Sequence, residues 1–109
     1  MQTQPFLVLC ERIGRKAKYK VYFQPNNQLI ERVKKLPKEQ RIWNDWGKCW
    51  EITTKGLYNI IKIYKGSTKI HFQFDNKEGF VKQIQKIDAD EKEKKKLLAE
   101  LEESKKRWL

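Results

Sequence analysis

Cysteine, histidine and long apolar runs are scarce in this sequence, and each scarcity excludes a class of protein. The chain has 109 residues, with two cysteines and one histidine. Two cysteines are too few for a disulfide-stabilised secreted scaffold, so we expect free thiols and a cytoplasmic protein, associated with the nucleoid if it is bacterial. The apolar runs are a few residues long, which is too short for a membrane-spanning helix. The N-terminus also lacks the pattern of a secretory signal peptide.

Motifs of catalysis and of cofactor binding are also missing. Gly47-Lys48 is followed by Cys49 and lacks the upstream glycine of a nucleotide-binding loop. His71 has the outward position on a predicted strand, so we expect it to be solvated or hydrogen-bonded rather than paired with a nucleophile. A zinc site needs four ligands, whereas Cys10, Cys49 and His71 are single and scattered. We expect no catalytic residues, no metal and no cofactor in this chain.

Positive charge, in contrast, is abundant and unevenly distributed. There are 25 Lys and Arg residues against 14 Asp and Glu, which gives a net charge of +11. Residues 88–109 contain seven basic and seven acidic residues, so residues 1–87, with 18 basic and 7 acidic, carry the whole excess. Self-repulsion of this size destabilises a small folded domain, so we expect a polyanionic partner. The alternative is a basic protein whose charge serves only solubility.

The spacing of apolar residues predicts an α+β fold. Alternation predicts strands, helical spacing predicts helices, and Gly14-Arg15-Lys16 predicts the first turn. The predicted elements are strands at 4–13 and 18–23, a helix ending at Pro37, a hairpin at 41–52, a helix from Thr53 or Thr54 to the turn at 65–67, a strand at 68–74 and a short helix at 80–87. From residue 18 onward this is the order of a ferredoxin-like split βαβ fold, with both helices on one sheet face. One extra strand, expected to be covered on both faces for part of its length, precedes it.

The composition changes at residue 88 and divides the chain into two parts. Residues 1–87 are expected to form a basic nucleic-acid-binding domain, and residues 88–109 a charged helical extension. Leu97, Leu98 and Leu101 form the apolar stripe of that helix, and Glu93-Lys94-Lys95 is interpreted as surface. The extension either connects to a motor domain or docks on the first domain through Leu97 and Leu101.

Three groups of side chains are candidates for binding a polyanion, because cations attract phosphates and exposed aromatic rings stack on bases. The first group lies on the first hairpin: Arg12, Arg15, Lys16, Lys18 and Lys20. The second lies on and after the first helix: Arg32, Lys34, Lys35, Lys38 and Arg41. The third is the aromatic hairpin: Trp43, Trp46 and Trp50, with Arg41 and Lys48 between and beside them. Trp43 and Trp50 either fill the core against Leu57 and Ile61 or contact the ligand. Trp46, at the turn, is the best candidate for stacking on an unpaired base.

The segment from residue 21 to residue 64 resembles a known domain. The matching features are an extended segment at Val21–Phe23, a helix ending in Val33-Lys34-Lys35-Leu36-Pro37, the strand Arg41-Ile42-Trp43, the strand Lys48-Cys49-Trp50-Glu51-Ile52, and the helix Leu57-Tyr58-Asn59-Ile60-Ile61. This pattern is similar to that of the HARP (HepA-related protein) domain, which precedes the motor in Swi/Snf-type annealing helicases and related bacterial helicases. Arg41, Trp43, Lys48 and Trp50 match the pattern, whereas Trp46 stands where polar residues are usual.

The resemblance implies a specific function. We expect a monomeric, non-catalytic DNA-binding accessory domain that recognises forks or single- to double-strand junctions without sequence specificity. Its second partner would be an ATP-dependent motor in the same polypeptide, and no membrane is involved. Two alternatives stay open, an RNA-binding module that uses a four-stranded sheet and a protein-interaction domain.

Overall fold

The computed structural model describes residues 5–64, 67 and 69–107, with side chains through Leu101. The strands are β1 (Phe6–Arg12), β2 (Lys18–Tyr22), β3 (Arg41–Asn44), β4 (Cys49–Thr53) and β5 (Ile70–Phe74). The helices are α1 (Asn27–Lys34), α2 (Thr54–Ile63), α3 (Lys77–Lys86) and α4 (Glu91–Arg107), with a short 3₁₀ turn at Lys38–Gln40. These elements follow the predicted order.

The five strands form one mixed sheet in the order β3-β4-β2-β1-β5. β4 lies between β2 and β3 and is antiparallel to both, so β2, α1 and β3 form a split βαβ unit. The α+β ferredoxin-like arrangement is therefore confirmed. The extra strand, β1, is antiparallel to β2 and parallel to β5. It is inserted between two strands of the split βαβ plan instead of being added at an edge.

All the buried side chains of β1 and β2 point to one face, which the helices cover. The strands contribute Val8, Cys10, Tyr19, Val21 and Ile52, and the helices contribute Leu29, Val33, Leu57, Ile60, Phe80 and Ile84. The expectation of helices on one face is confirmed, and the expectation that the first strand is covered on both faces is wrong. Leu7 and Leu9 point to the other face, which we call the open face, and are 45% and 40% exposed. No helix in the described part of the chain is long and apolar enough to cross a membrane.

Side chains at the predicted boundaries cap the helices. The Asn26 side chain accepts a hydrogen bond from the Leu29 amide at 3.0 Å at the start of α1, and Thr53, not Thr54, accepts from the Gly56 amide at 3.1 Å at the start of α2. Each bond satisfies an amide that has no partner inside its helix. Gly14 has a φ of +54° and makes the predicted reversal between β1 and β2.

The C-terminal helix α4 packs on the domain. Leu97 and Leu101 are buried and belong to the same core as the sheet. Lys94 is also buried, so its assignment to the surface is wrong: its ammonium lies 3.5 Å from the Gln85 carbonyl of α3 and 3.3 Å from the Glu91 carboxylate. The helix faces α3 at this position, which sequence spacing alone did not show. A connecting role for residues 88–109 stays a prediction.

Two predicted features lie outside the described residues. They are Lys65 and Gly66 in the turn after α2, and the last two residues, 108 and 109, of the predicted helical extension. The preceding residue Tyr64 ends α2.

Candidate nucleic-acid interface

The strand register brings two of the basic groups to the same end of the sheet. Lys18 is paired with Thr53, and Arg41 is paired with Ile52. β2 and β3 therefore start at the same end of the sheet, on either side of β4. The exposed turn residues Arg15 and Lys16 precede β2 at this end. Cations that are up to 26 positions apart in the sequence, such as Arg15 and Arg41, thus belong to one region.

A groove of about 500 Å³ lies along β3, the edge strand, and joins this basic end to the tryptophans. Its lining residues are Lys18, Lys38, Glu39, Gln40, Arg41, Ile42, Trp43, Trp50, Glu51 and Thr53. Arg41 is half-buried and its Nε donates to the Leu36 carbonyl at 3.1 Å, which fixes the direction of the guanidinium. The lining therefore includes three basic residues and two tryptophans, and we call this groove the β3 groove.

Trp43 and Trp50 are cross-strand neighbours in the hairpin. Their ring centroids lie 5.3 Å apart and the rings meet edge to face at 66°, an arrangement that aromatic pairs prefer. Trp50 packs against the core, whereas Trp43 keeps 46% of its surface exposed. Trp50 is therefore chiefly structural, and Trp43 presents part of a supported ring to solvent.

Trp46 and Lys48 lie at the opposite end of the hairpin, in the turn. Trp46 is 98% exposed, as the sequence predicted. Lys48 has a φ of +52°, and its ammonium lies 2.9 Å from the Asp45 carboxylate. Because this turn follows β3, the register places it far from Lys18 and the start of β3. Lys48 and Trp46 are thus separated from the basic end of the sheet.

Arg12 has a structural role that the sequence did not indicate. Its guanidinium donates to the carbonyls of Lys16 and Arg15, at 3.2 Å each, and so holds the β1–β2 turn. It also meets the side chain of Gln83 in α3, with Nη2 at 2.6 Å from the amide oxygen in the orientation that satisfies every partner of Gln83. These contacts make Arg12 a poor candidate for gripping phosphate.

Lys20 lies on the open face between two carboxylates. It is directly opposite Glu11 of β1 and Glu51 of β4, and directly opposed residues share a sheet face. The cation is thus opposed locally by two negative charges. The predicted contribution of Lys20 to phosphate binding is not favoured by this environment.

The remaining basic residues of the second group lie on α1 and on the segment that leads from α1 to the groove. Arg32, Lys34 and Lys35 are exposed on α1 or at its end. The chain passes from α1 through Pro37 into the 3₁₀ turn, which places Lys38 in the groove wall. Lys38 belongs to the second basic group in the sequence, but only the fold places it in the lining of one groove with Lys18 and the tryptophan pair.

The arrangement on the open face bears on the RNA-binding alternative. A sheet that stacks bases needs aromatic rings on its exposed face, but both paired tryptophans face the helix side with Ile52. On the described part of the open face the aromatic side chain is Tyr22, which is half-buried. Burial, followed by the neighbouring Cys49, raises the pKa of Tyr22. The open face therefore has few of the exposed aromatic rings that an RNA-binding sheet uses for stacking.

The candidate nucleophiles are not assembled with the histidine. Cys10 faces the helices, and Cys49 and His71 face the open side but lie on β4 and β5, which β2 and β1 separate. Three strand spacings of about 4.8 Å amount to about 14 Å. Burial raises the pKa of both thiols, and within the described residues no group of three or more His, Cys, Asp and Glu side chains could hold a metal.

We found no match for this chain among known protein families, curated proteins or solved structures. The resemblance to the HARP domain therefore stays a prediction, and the functional argument depends on the geometry of the chain itself.

Proposed function

We propose that this chain is a non-catalytic DNA-binding accessory domain of an ATP-dependent helicase or translocase. One observation carries the proposal: the β3 groove combines Lys18, Lys38 and Arg41 with the supported ring of Trp43. Cations bind backbone phosphates of any sequence, and an aromatic ring binds a base only where that base is unpaired. A surface with both features favours forks and single- to double-strand junctions.

The charge of the whole domain supports the same function. The excess of +11 lies in residues 1–87, and among these residues the exposed cations Arg15, Lys16 and Lys18 lie at the groove end of the sheet. Such a field speeds the approach of a polyanion, while the groove positions it. The motor would be the second partner, in the same polypeptide. The domain itself acts as a cytoplasmic monomer, at the nucleoid if the protein is bacterial.

The test is the fluorescence anisotropy of labelled forked, single-stranded and duplex DNA over a salt series. We expect a preference for the fork that persists at about 0.15 M salt, where the Debye length is about 8 Å. Equal binding of all three shapes, lost together as salt rises, would refute junction recognition. RNA that outcompetes forked DNA at equal salt would assign the groove to RNA.

A matched pair of variants separates the groove from net charge. Lys18→Gln and Lys96→Gln each remove one cation, and both lysines are exposed, but Lys96 lies on α4 outside the groove. Loss of one phosphate contact lowers the slope of log affinity against log salt by about 0.7 to 0.9. We expect that change for Lys18→Gln and little change for Lys96→Gln. Equal effects of the two substitutions would mean that only total charge matters.

A second candidate function has its own observation. Leu7 and Leu9 are large apolar side chains that lie exposed on a central strand of the open face. A contiguous exposed apolar patch marks a protein-docking site, and these two side chains would lie at the centre of one on the open face. This function predicts a discrete complex by size-exclusion chromatography, together with DNA binding that is lost at physiological salt.

A further inference from the structure

The β3 groove has a low net charge, and this limits how many phosphates it can bind. Three cations line it, Lys18, Lys38 and Arg41, but so do the carboxylates of Glu39 and Glu51. Glu51 is kept in place by a hydrogen bond of 2.8 Å from the Asn44 side chain. A run of phosphates would pass both carboxylates, whereas a single phosphate can contact Arg41 and Lys38 alone. The charge balance thus favours one phosphate.

The size and the lining of the groove fit one nucleotide unit. Its volume of about 500 Å³ is within the range of about 300–1,000 Å³ of small-ligand sites. The Arg41 guanidinium is held by the Leu36 carbonyl through Nε, so its terminal nitrogens stay available to a phosphate oxygen. A fixed planar donor loses little conformational freedom when it binds a phosphate.

The two candidate stacking residues differ in how far they are ordered before binding. Trp43 is supported by the edge-to-face contact with Trp50, and its indole nitrogen donates to Asp45 at 3.4 Å. Trp46 is 98% exposed and therefore has almost no packing that fixes its ring. Ordering a free side chain on binding reduces affinity, and a ring already in position avoids that loss. Trp43 also lines the groove with the cations, whereas Trp46 does not.

We propose that the β3 groove binds one unpaired nucleotide, with the base stacked on Trp43 and its phosphate held by Arg41, which shares the sheet face of Trp43, and by Lys38. Lys18 points to the open face and contacts the flanking backbone. The inference rests on the proposed DNA-binding function and names the part of the DNA that is recognised. The unpaired strand at a junction enters the groove, and the other cations hold the flanking backbone. Trp46, the candidate that the sequence favours, has no part in this step.

The first experiment compares two ligands on the unaltered protein. One is labelled oligothymidylate of about eight nucleotides, and the other is a strand of the same length and phosphate charge in which every sugar is abasic. Stacking of one base corresponds to a loss of about 5- to 150-fold in affinity for the abasic strand. Equal affinity for the two strands would overturn the proposal, and no protein variant has to fold for this result.

The second experiment assigns the ring. Trp43→Leu is compared with Trp46→Leu, and Trp43→Phe tests whether a smaller ring restores binding. We expect Trp43→Leu to weaken binding of oligothymidylate by about 5- to 150-fold without changing its salt slope. Trp46→Leu should leave binding almost unchanged, and Trp43→Phe should recover most of it. A larger loss in Trp46→Leu than in Trp43→Leu would contradict the assignment.

Failure of the proposed DNA-binding function and failure of the nucleotide site give different results. If the unaltered protein binds no DNA at physiological salt, the proposed function is wrong. If it binds forked DNA but does not distinguish thymidylate from the abasic strand, only the nucleotide site is wrong. Thermal melting of each variant shows whether it is folded, and an unfolded Trp43→Leu leaves the abasic comparison as the deciding result.

Discussion

Gln83 connects three parts of the fold, and its removal gives a stability test of the structure. The amide nitrogen, in the orientation that satisfies all of its partners, donates to Tyr19 of β2 at 2.7 Å and to Thr54 of α2 at 2.8 Å. The amide oxygen accepts from Arg12 of β1. Tyr19 and Thr54 are buried, so water does not readily replace a lost partner. We expect Gln83→Leu to destabilise the fold clearly.

The magnitude follows from the number of groups left without a partner. Each of the two buried hydroxyls loses a hydrogen bond worth about 1 kcal/mol. Arg12 loses a charge-assisted bond of about 1.5–3 kcal/mol, reduced because the guanidinium is partly exposed and keeps the carbonyls of Arg15 and Lys16. The expected loss is about 3 kcal/mol, which for a domain of this size lowers the melting temperature by about 13 °C.

The assay is urea unfolding of a double-mutant cycle made from Gln83→Leu and Tyr19→Phe. Tyr19→Phe should cost about 1 kcal/mol in the native background and almost nothing once Gln83 is gone, because the partner is already missing. The control is Thr53→Ala, which removes the N-terminal cap of α2 and does not contact Gln83. Its loss of stability should add to that of Gln83→Leu. A loss below about 1 kcal/mol for Gln83→Leu, or full additivity with Tyr19→Phe, would refute the network.

Two further predictions concern other parts of the fold. Leu97→Ala should lower the free energy of unfolding by about 2–5 kcal/mol because Leu97 is buried in the common core. Lys96→Ala, at an exposed position of the same helix, is the control. A near-neutral Leu97→Ala in urea unfolding would mean that α4 does not stabilise the domain. Burial, followed by Lys77, lowers the pKa of His71 from 6.5, so below about pH 6.5 the unfolded chain binds a proton more readily than the folded one and stability falls. As the pH is lowered below about 6.5, the melting temperature should fall less steeply for His71→Gln than for the unaltered protein. Parallel curves for the two proteins would contradict a contribution of His71 to this pH dependence.

Much of the local structure followed from short-range features of the sequence. Asn26 and Thr53 precede apolar residues at helical spacing, and a short polar side chain at that position caps a helix whatever the tertiary fold is. Alternation over residues 18–23 predicted a strand there, and Tyr19 and Val21 share its buried face because side chains on a strand alternate between the two faces. These rules use neighbours within a few residues, so they do not need the fold.

Long-range contacts changed the roles of several candidate residues. Arg12 was predicted to bind phosphate, but a residue of α3 more than 70 positions away engages its guanidinium. Lys20 was also predicted to bind phosphate, but strand pairing places Glu11 and Glu51 directly opposite it. Spacing along the chain contains no information about a partner that only sheet pairing or helix packing brings near.

By itself, the sequence determined the order of helices and strands, the exposure of Trp46 and the restriction of the net positive charge to residues 1–87. The tertiary structure alone decided the insertion of β1 between β2 and β5, the docking of α4 and the meeting of Lys18, Lys38 and Arg41 with Trp43 in one groove. The physical reason is the range of the forces concerned. Caps, turns and alternation depend on adjacent residues, whereas a binding groove depends on strand register and packing between segments that are distant in the chain.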